Sequence, residues 1–139
     1  MLIASEGGQN RTVQRSVTLN FLKDPTDPRW RRDAGMRRYR SIMARYARGA
    51  NVNDVYHVYG MAVAHETVSL FRRLGSNVTR ARLMAAARSI ASRSNPFLLP
   101  GVEVRTARGD GFPVQQGQLQ RWQNGGWVPF GPLWASKRN

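Results

Sequence analysis

The stretch "FLKDPTDPRW", residues 21 to 30, decides how the rest of the chain is read. Just before it, "SVTLNFL" (16 to 22) alternates Val17, Leu19 and Phe21 with Ser16, Thr18 and Asn20, the period of two expected of a strand with one apolar face. The prolines of "KDPTDP" remove backbone donors and hold the aspartates before them in extended conformations, so the strand stops in an ordered corner or a crossing. Beyond it the chain turns abruptly basic. Asp33 is placed to cap a helix from about 34 to 47, whose Met36, Tyr39, Met43 and Tyr46 recur at helical spacing as one apolar stripe. Gly49 is placed to end it.

Two further helices follow. Asn53 or Asp54 caps the second, which runs through Val55, Tyr56, Val58, Tyr59, Ala62, Val63, Val68, Leu70, Phe71 and Leu74 to a stop at Gly75. A helix so apolar in its first half is expected to be buried on most sides, and it calls for neighbours beyond those the chain supplies. Thr79 caps a third helix with a narrower stripe of Leu83, Met84, Ala87, Ile90 and Ala91. From Pro96 the composition shifts to Gly, Pro, Gln and aromatics. A turn at Pro100-Gly101 leads into a short strand through Val102 and Val104. "QQGQLQRWQNGGWVPFG" then reads as a hairpin about Asn124-Gly125-Gly126, with Trp122 and Trp127 able to pair across the turn. The expected organisation is a flexible lead over 1–16, a strand and three helices over 17–95, and C-terminal strands, hairpin and frayed tail over 96–139. The fold class is α/β.

Composition limits the function classes. The 139 residues make about one domain, and no window approaches the about 18 consecutive apolar residues of a membrane span. "MLIASEGGQN" has neither the charged lead nor the apolar core of a secretory signal, which predicts a cytoplasmic chain if it is expressed as written. With no cysteine, thiolate chemistry and thiolate metal sites are excluded. The formal charge of +14 points first to nucleic acid as a partner. Yet only Lys23 and Lys137 are lysines, so twenty of the 22 basic residues are arginines, a bias that genome composition also produces. Eight arginines between Arg29 and Arg48 face a single acid, Asp33, and read as a solvated basic helix. No aromatic RNA-binding pattern or helix-turn-helix accompanies them.

Catalytic patterns fail on spacing. "HETVS" (65 to 69) begins like a zinc-protease helix, but Ser69 stands where the second histidine belongs. His57 and His65 are slightly more than two helical turns apart, too far for one ion on an unbroken helix. No nucleophile elbow, phosphate loop, dinucleotide fingerprint or carboxylate pair is present. The chain reads as no enzyme, without cofactor or metal.

In order, "LKDPTDPRW", "MRRYRSIMARYARGANVND", "VYGMAVAHETVSLFRRLGSNVTRARLMAAA" and "LLPGVEVRTARGDGFPVQQGQLQRWQNGGWVPFG" resemble the C-terminal part of the branched-chain amino-acid-binding proteins of bacterial ABC transporters, the type I periplasmic solute receptors. The resemblance spans roughly residues 17 to 134. It implies that "FLKDPTDP" is a crossing between two lobes and that the helices after it complete a lobe whose parallel sheet begins upstream. Since family members are more than twice as long, it also implies a C-terminal fragment lacking the residues that grip the ligand's ammonium and carboxylate. By the same resemblance the chain is periplasmic and its partners are an amino acid and a membrane permease. Tyr56, at the start of the "YG" helix, lines the site for the ligand's side chain, with Tyr59 a turn later as second choice; an aromatic that merely anchors the helix start is the other reading of Tyr56. The arginine load departs from what the family implies. Two alternatives stay open: a small basic nucleic-acid-binding protein, and a truncated copy with no retained role. A piece completed by a second chain is a third.

Overall fold

The computed structural model describes residues 14–136. Most of the expected lead, and the last residues of the expected tail, lie outside the described residues. The chain forms two compact units. One takes the described residues 14–21 and 116–136; the other is residues 22–115. The fold is mixed α/β, with three α-helices and two antiparallel sheets among the described residues.

The first unit is a three-stranded sheet in the order β1-β4-β5, with β1 Val17–Asn20, β4 Gln116–Gln123 and β5 Gly126–Ala135. Asn124 and Gly125 both take positive φ (51° and 80°), the geometry of a two-residue hairpin turn whose twist matches that of its strands. Trp122 and Trp127 pair across the ladder, rings 5.3 Å apart and nearly perpendicular, as expected from their places beside the turn. The ladder slips between Gln118 and Gln120; there the Gln118 amide donates to the carbonyls of Phe130 (2.7 Å) and Gly131 (2.9 Å), and Gly131 takes φ 68°. The outer strand β5 carries Pro129 and Pro132, which have no N–H to offer a neighbour. β1 has the expected period but the opposite exposure: Val17 and Leu19 are more than half exposed, and Asn20 is buried. Leu19 lies over Gly117, where an added Cβ would come within 2.6 Å of Leu19 Cγ, so that glycine seats the leucine on the sheet.

The second unit begins inside the aspartate–proline stretch. Leu22 bridges to Leu98, and the Lys23 N–H donates to the Phe97 carbonyl (3.0 Å). Asp24 accepts from the Thr26 N–H and hydroxyl, and Asp27 caps a 3-10 helix, Pro28–Trp30, with proline at its first position. Asp33 caps α1, Ala34–Tyr46, accepting from the Met36 N–H at 3.0 Å. Met36, Tyr39 and Met43 are buried as their spacing predicts, and the Tyr39 hydroxyl donates to the Val52 carbonyl at 2.8 Å. Burial, followed by the charge of Asp54, raises the Tyr39 pKa above its ordinary value. Tyr46 departs from the stripe: it is 73% exposed, with Arg45 over its ring. Gly35 lets α1 meet the chain at Pro96, whose carbonyl oxygen would stand 2.2 Å from an added Cβ.

α2, Val55–Leu74, is capped by Asp54 and ended by Gly75 at φ 63°. The expectation of burial on most sides is not met. Only Val58, Ala62 and Glu66 are buried, because the unit covers one face of the helix. α3, Arg80–Ala87, starts at the Thr79 cap but stops before Ile90 and Ala91, which the stripe had placed on it. The reason is Thr106. Its hydroxyl donates to the Ala87 carbonyl (2.6 Å), the acceptor a longer helix would use, and accepts from the Ile90 N–H (2.9 Å). The chain therefore leaves the helix as β2, Ala91–Ser92, antiparallel to β3, Val104–Arg105. Val102, expected in the strand, is instead buried in the turn about Gly101 (φ 85°), its N–H bonded to the Leu99 carbonyl. Among the described residues, no helix is long and apolar enough to cross a membrane.

Candidate functional site

The side chains singled out from the sequence stand at the start of α2. Asp54 accepts from the Tyr56 N–H at 2.9 Å, which fixes the first turn, and Tyr56 and Tyr59 project from it, 58% and 50% exposed. Helical spacing puts Val63 and Phe71 on the same side, and both are more than 40% exposed. An added Cβ at Gly60 would meet nothing within 4 Å, so the surface beside the two tyrosines is open. The result is an apolar strip along α2 that starts with two aromatic rings. Such a strip can pack on an apolar side chain, but it carries no charge to bind an ammonium or a carboxylate.

The opposite side of α2 is anchored by polar groups that sequence reasoning missed. Glu66, nearly fully buried, accepts from the Asn95 amide (2.9 Å) and the Ser92 hydroxyl (3.1 Å). The Asn95 amide also donates to the Ala62 carbonyl (3.0 Å), and its oxygen accepts from the Phe97 N–H (3.2 Å). This network ties residues 92–97 to α2 and thereby orients the helix. The one sequence signal was an acid in the middle of an apolar helix, in "HETVS", and it names no partner. His65 has Nδ1 3.5 Å from Glu66 Oε1 and sets its ring edge-on to Phe97. Among the described residues, no group of three His, Asp or Glu side chains stands close enough to hold a metal ion.

A second feature lies between α1 and α2. There Arg38, Ile42, Met61, Ala64, His65, Val68, Ser69, Arg72 and Phe97 line a groove of about 160 Å³. It was not legible in the sequence, because its walls come from segments far apart in the chain.

Compared with known proteins, the chain matches no family model, no curated sequence and no solved structure.

Proposed function

We propose that residues 17 to 134 form the C-terminal part of a type I solute receptor of the branched-chain amino-acid kind. The protein is then a non-catalytic, periplasmic component of an ABC transporter, which binds an amino acid between two lobes and delivers it to a membrane permease. The observation that carries this is where the chain changes unit. It leaves one unit between Phe21 and Leu22, inside the aspartate–proline stretch, and returns to it between Gln115 and Gln116. A chain that passes out of one body and back fits the interlobe crossings of such receptors. The open strip of α2 is compatible with this reading, since beyond its two tyrosines it leaves Val63 and Phe71 free to pack on a sheet from the rest of a receptor. Tyr56, with Tyr59 behind it, then lines the site for the ligand's side chain, and the polar clamp comes from other residues of the receptor. Lobe closure follows from the ligand's preference for the closed state.

The rival nucleic-acid reading can draw on only part of the arginines of α1. Arg37 donates to the Arg32 carbonyl (2.6 Å), and Arg40 to the carbonyls of Arg31 (3.4 Å) and Pro25 (3.2 Å), so part of the arginine load is spent on holding the corner. The test is calorimetric. The chain is combined with a polypeptide carrying the rest of a branched-chain receptor, and leucine, isoleucine and valine are titrated in at low and high salt. Saturable binding that is nearly independent of salt, and about tenfold weaker in Tyr56→Ala, is expected. Absence of amino-acid binding, together with DNA or RNA binding that collapses with salt, would favour the rival reading.

A further inference from the structure

We infer that the groove between α1 and α2 is a binding site for a small amphipathic carboxylate, an acid group joined to a ring or a short branched chain. Its floor is apolar: the buried Phe97 ring, with Ile42 from α1 and Met61 from α2. Its lining also carries cations, Arg38 from α1 and Arg72 from the last turn of α2. No Asp or Glu lines it. Other arginines of this unit are engaged: Arg29 with Asp27, Arg93 and Arg105 with Glu103, and Arg37, Arg40 and Arg73 with backbone carbonyls. The Arg38 and Arg72 guanidinium groups have no hydrogen-bond or ion-pair partner among the described residues, a state they share with several arginines away from the groove, and what sets these two apart is that both line it. Two arginines beside apolar side chains in one groove suit a carboxylate whose body is to be kept from water.

Size narrows the class. A cavity of about 150 Å³ holds a ring the size of benzene, so a groove of about 160 Å³ has room for one ring or one branched chain. His65 forms one wall with its ring held against Phe97 at 81°, and therefore gives that wall a fixed shape. The groove lies on a different face of α2 from Tyr56 and Tyr59, and the inference does not rest on the receptor reading.

The experiment uses benzoate as probe, with benzyl alcohol and inorganic phosphate as controls, titrated into the full chain by calorimetry and ligand-observed NMR. Benzoate should bind saturably. Benzyl alcohol, which keeps the ring but not the charge, should bind at least tenfold more weakly, and phosphate should not compete. Arg38→Ala and Arg72→Ala should each weaken benzoate about tenfold. Ala64→Phe, which fills the groove from an exposed position, should abolish binding while circular dichroism stays unchanged. No benzoate binding, equal competition by phosphate, or full binding by a folded Ala64→Phe chain would each overturn the assignment.

Discussion

Lys23 holds the corner through partners that lie 10 and 73 residues away. Its buried ammonium sits 2.9 Å from Asp33 Oδ2 and 2.9 Å from the Pro96 carbonyl, and 5.3 Å from the centre of the Trp30 ring. Asp33 is pulled two ways. Burial pushes its carboxyl up, but the bond from Lys23, the Met36 N–H, the Lys23 charge and the Gly35 N–H together outweigh burial and hold its pKa below the ordinary 3.8. A folded-state value below the unfolded one gives stability that is present above the unfolded pKa and is lost as pH falls through the folded one. Asp33→Asn should therefore flatten the acid limb of a urea-midpoint profile below about pH 4, and at pH 7 should cost about 1–3 kcal/mol by leaving the Lys23 ammonium underpartnered. Two glycines of the same helical unit should respond in opposite senses. Gly35→Ala drives a Cβ into a backbone carbonyl that cannot yield, for a loss of about 1–3 kcal/mol, whereas Gly60→Ala adds a methyl in open space and should gain up to about 1 kcal/mol; denaturant unfolding reads both. Asp33 as a cap was legible in the sequence because its target is three residues away. The Lys23 contacts were not, because nothing local announces Pro96.

At the scale of elements, α2 shows what the apolar pattern can and cannot specify. Its caps, its length and its stop at Gly75 followed from short-range chemistry. Its apolar character was also legible, but which faces would be covered depends on what packs against it, and the described residues cover only one. The open strip should bind a hydrophobic dye, and Val63→Asn with Phe71→Asn should lower that dye fluorescence at unchanged helix content, measured by titration beside circular dichroism. α3 fails as a sequence reading for a different reason: the periodicity continued to Ala91, but a hydroxyl far along the chain competes for the Ala87 carbonyl. Thr106→Val should leave the Ile90 N–H unpaired and cost about 1–3 kcal/mol in a urea unfolding experiment.

For the whole molecule, the order of elements was readable, while the return of the chain to its first unit was not, since that depends on β1 pairing with a strand almost a hundred residues later. The charge of +14 is the property most open to misreading. If it serves solubility and local capping, a duplex should bind only weakly at physiological salt, and the salt slope should persist in Tyr56→Ala while amino-acid binding weakens about tenfold; filter binding across a salt series reads the first and calorimetry the second. The outer strand β5 carries a last consequence. A fibril grows when a bare strand margin recruits another copy by an unbroken run of backbone hydrogen bonds, and Pro129 and Pro132 interrupt that run along the exposed margin of this hairpin. Seeded, thread-like growth should thus not start from β5, and self-association at high concentration through the bare side of α2 should give soluble oligomers that mild detergent disperses.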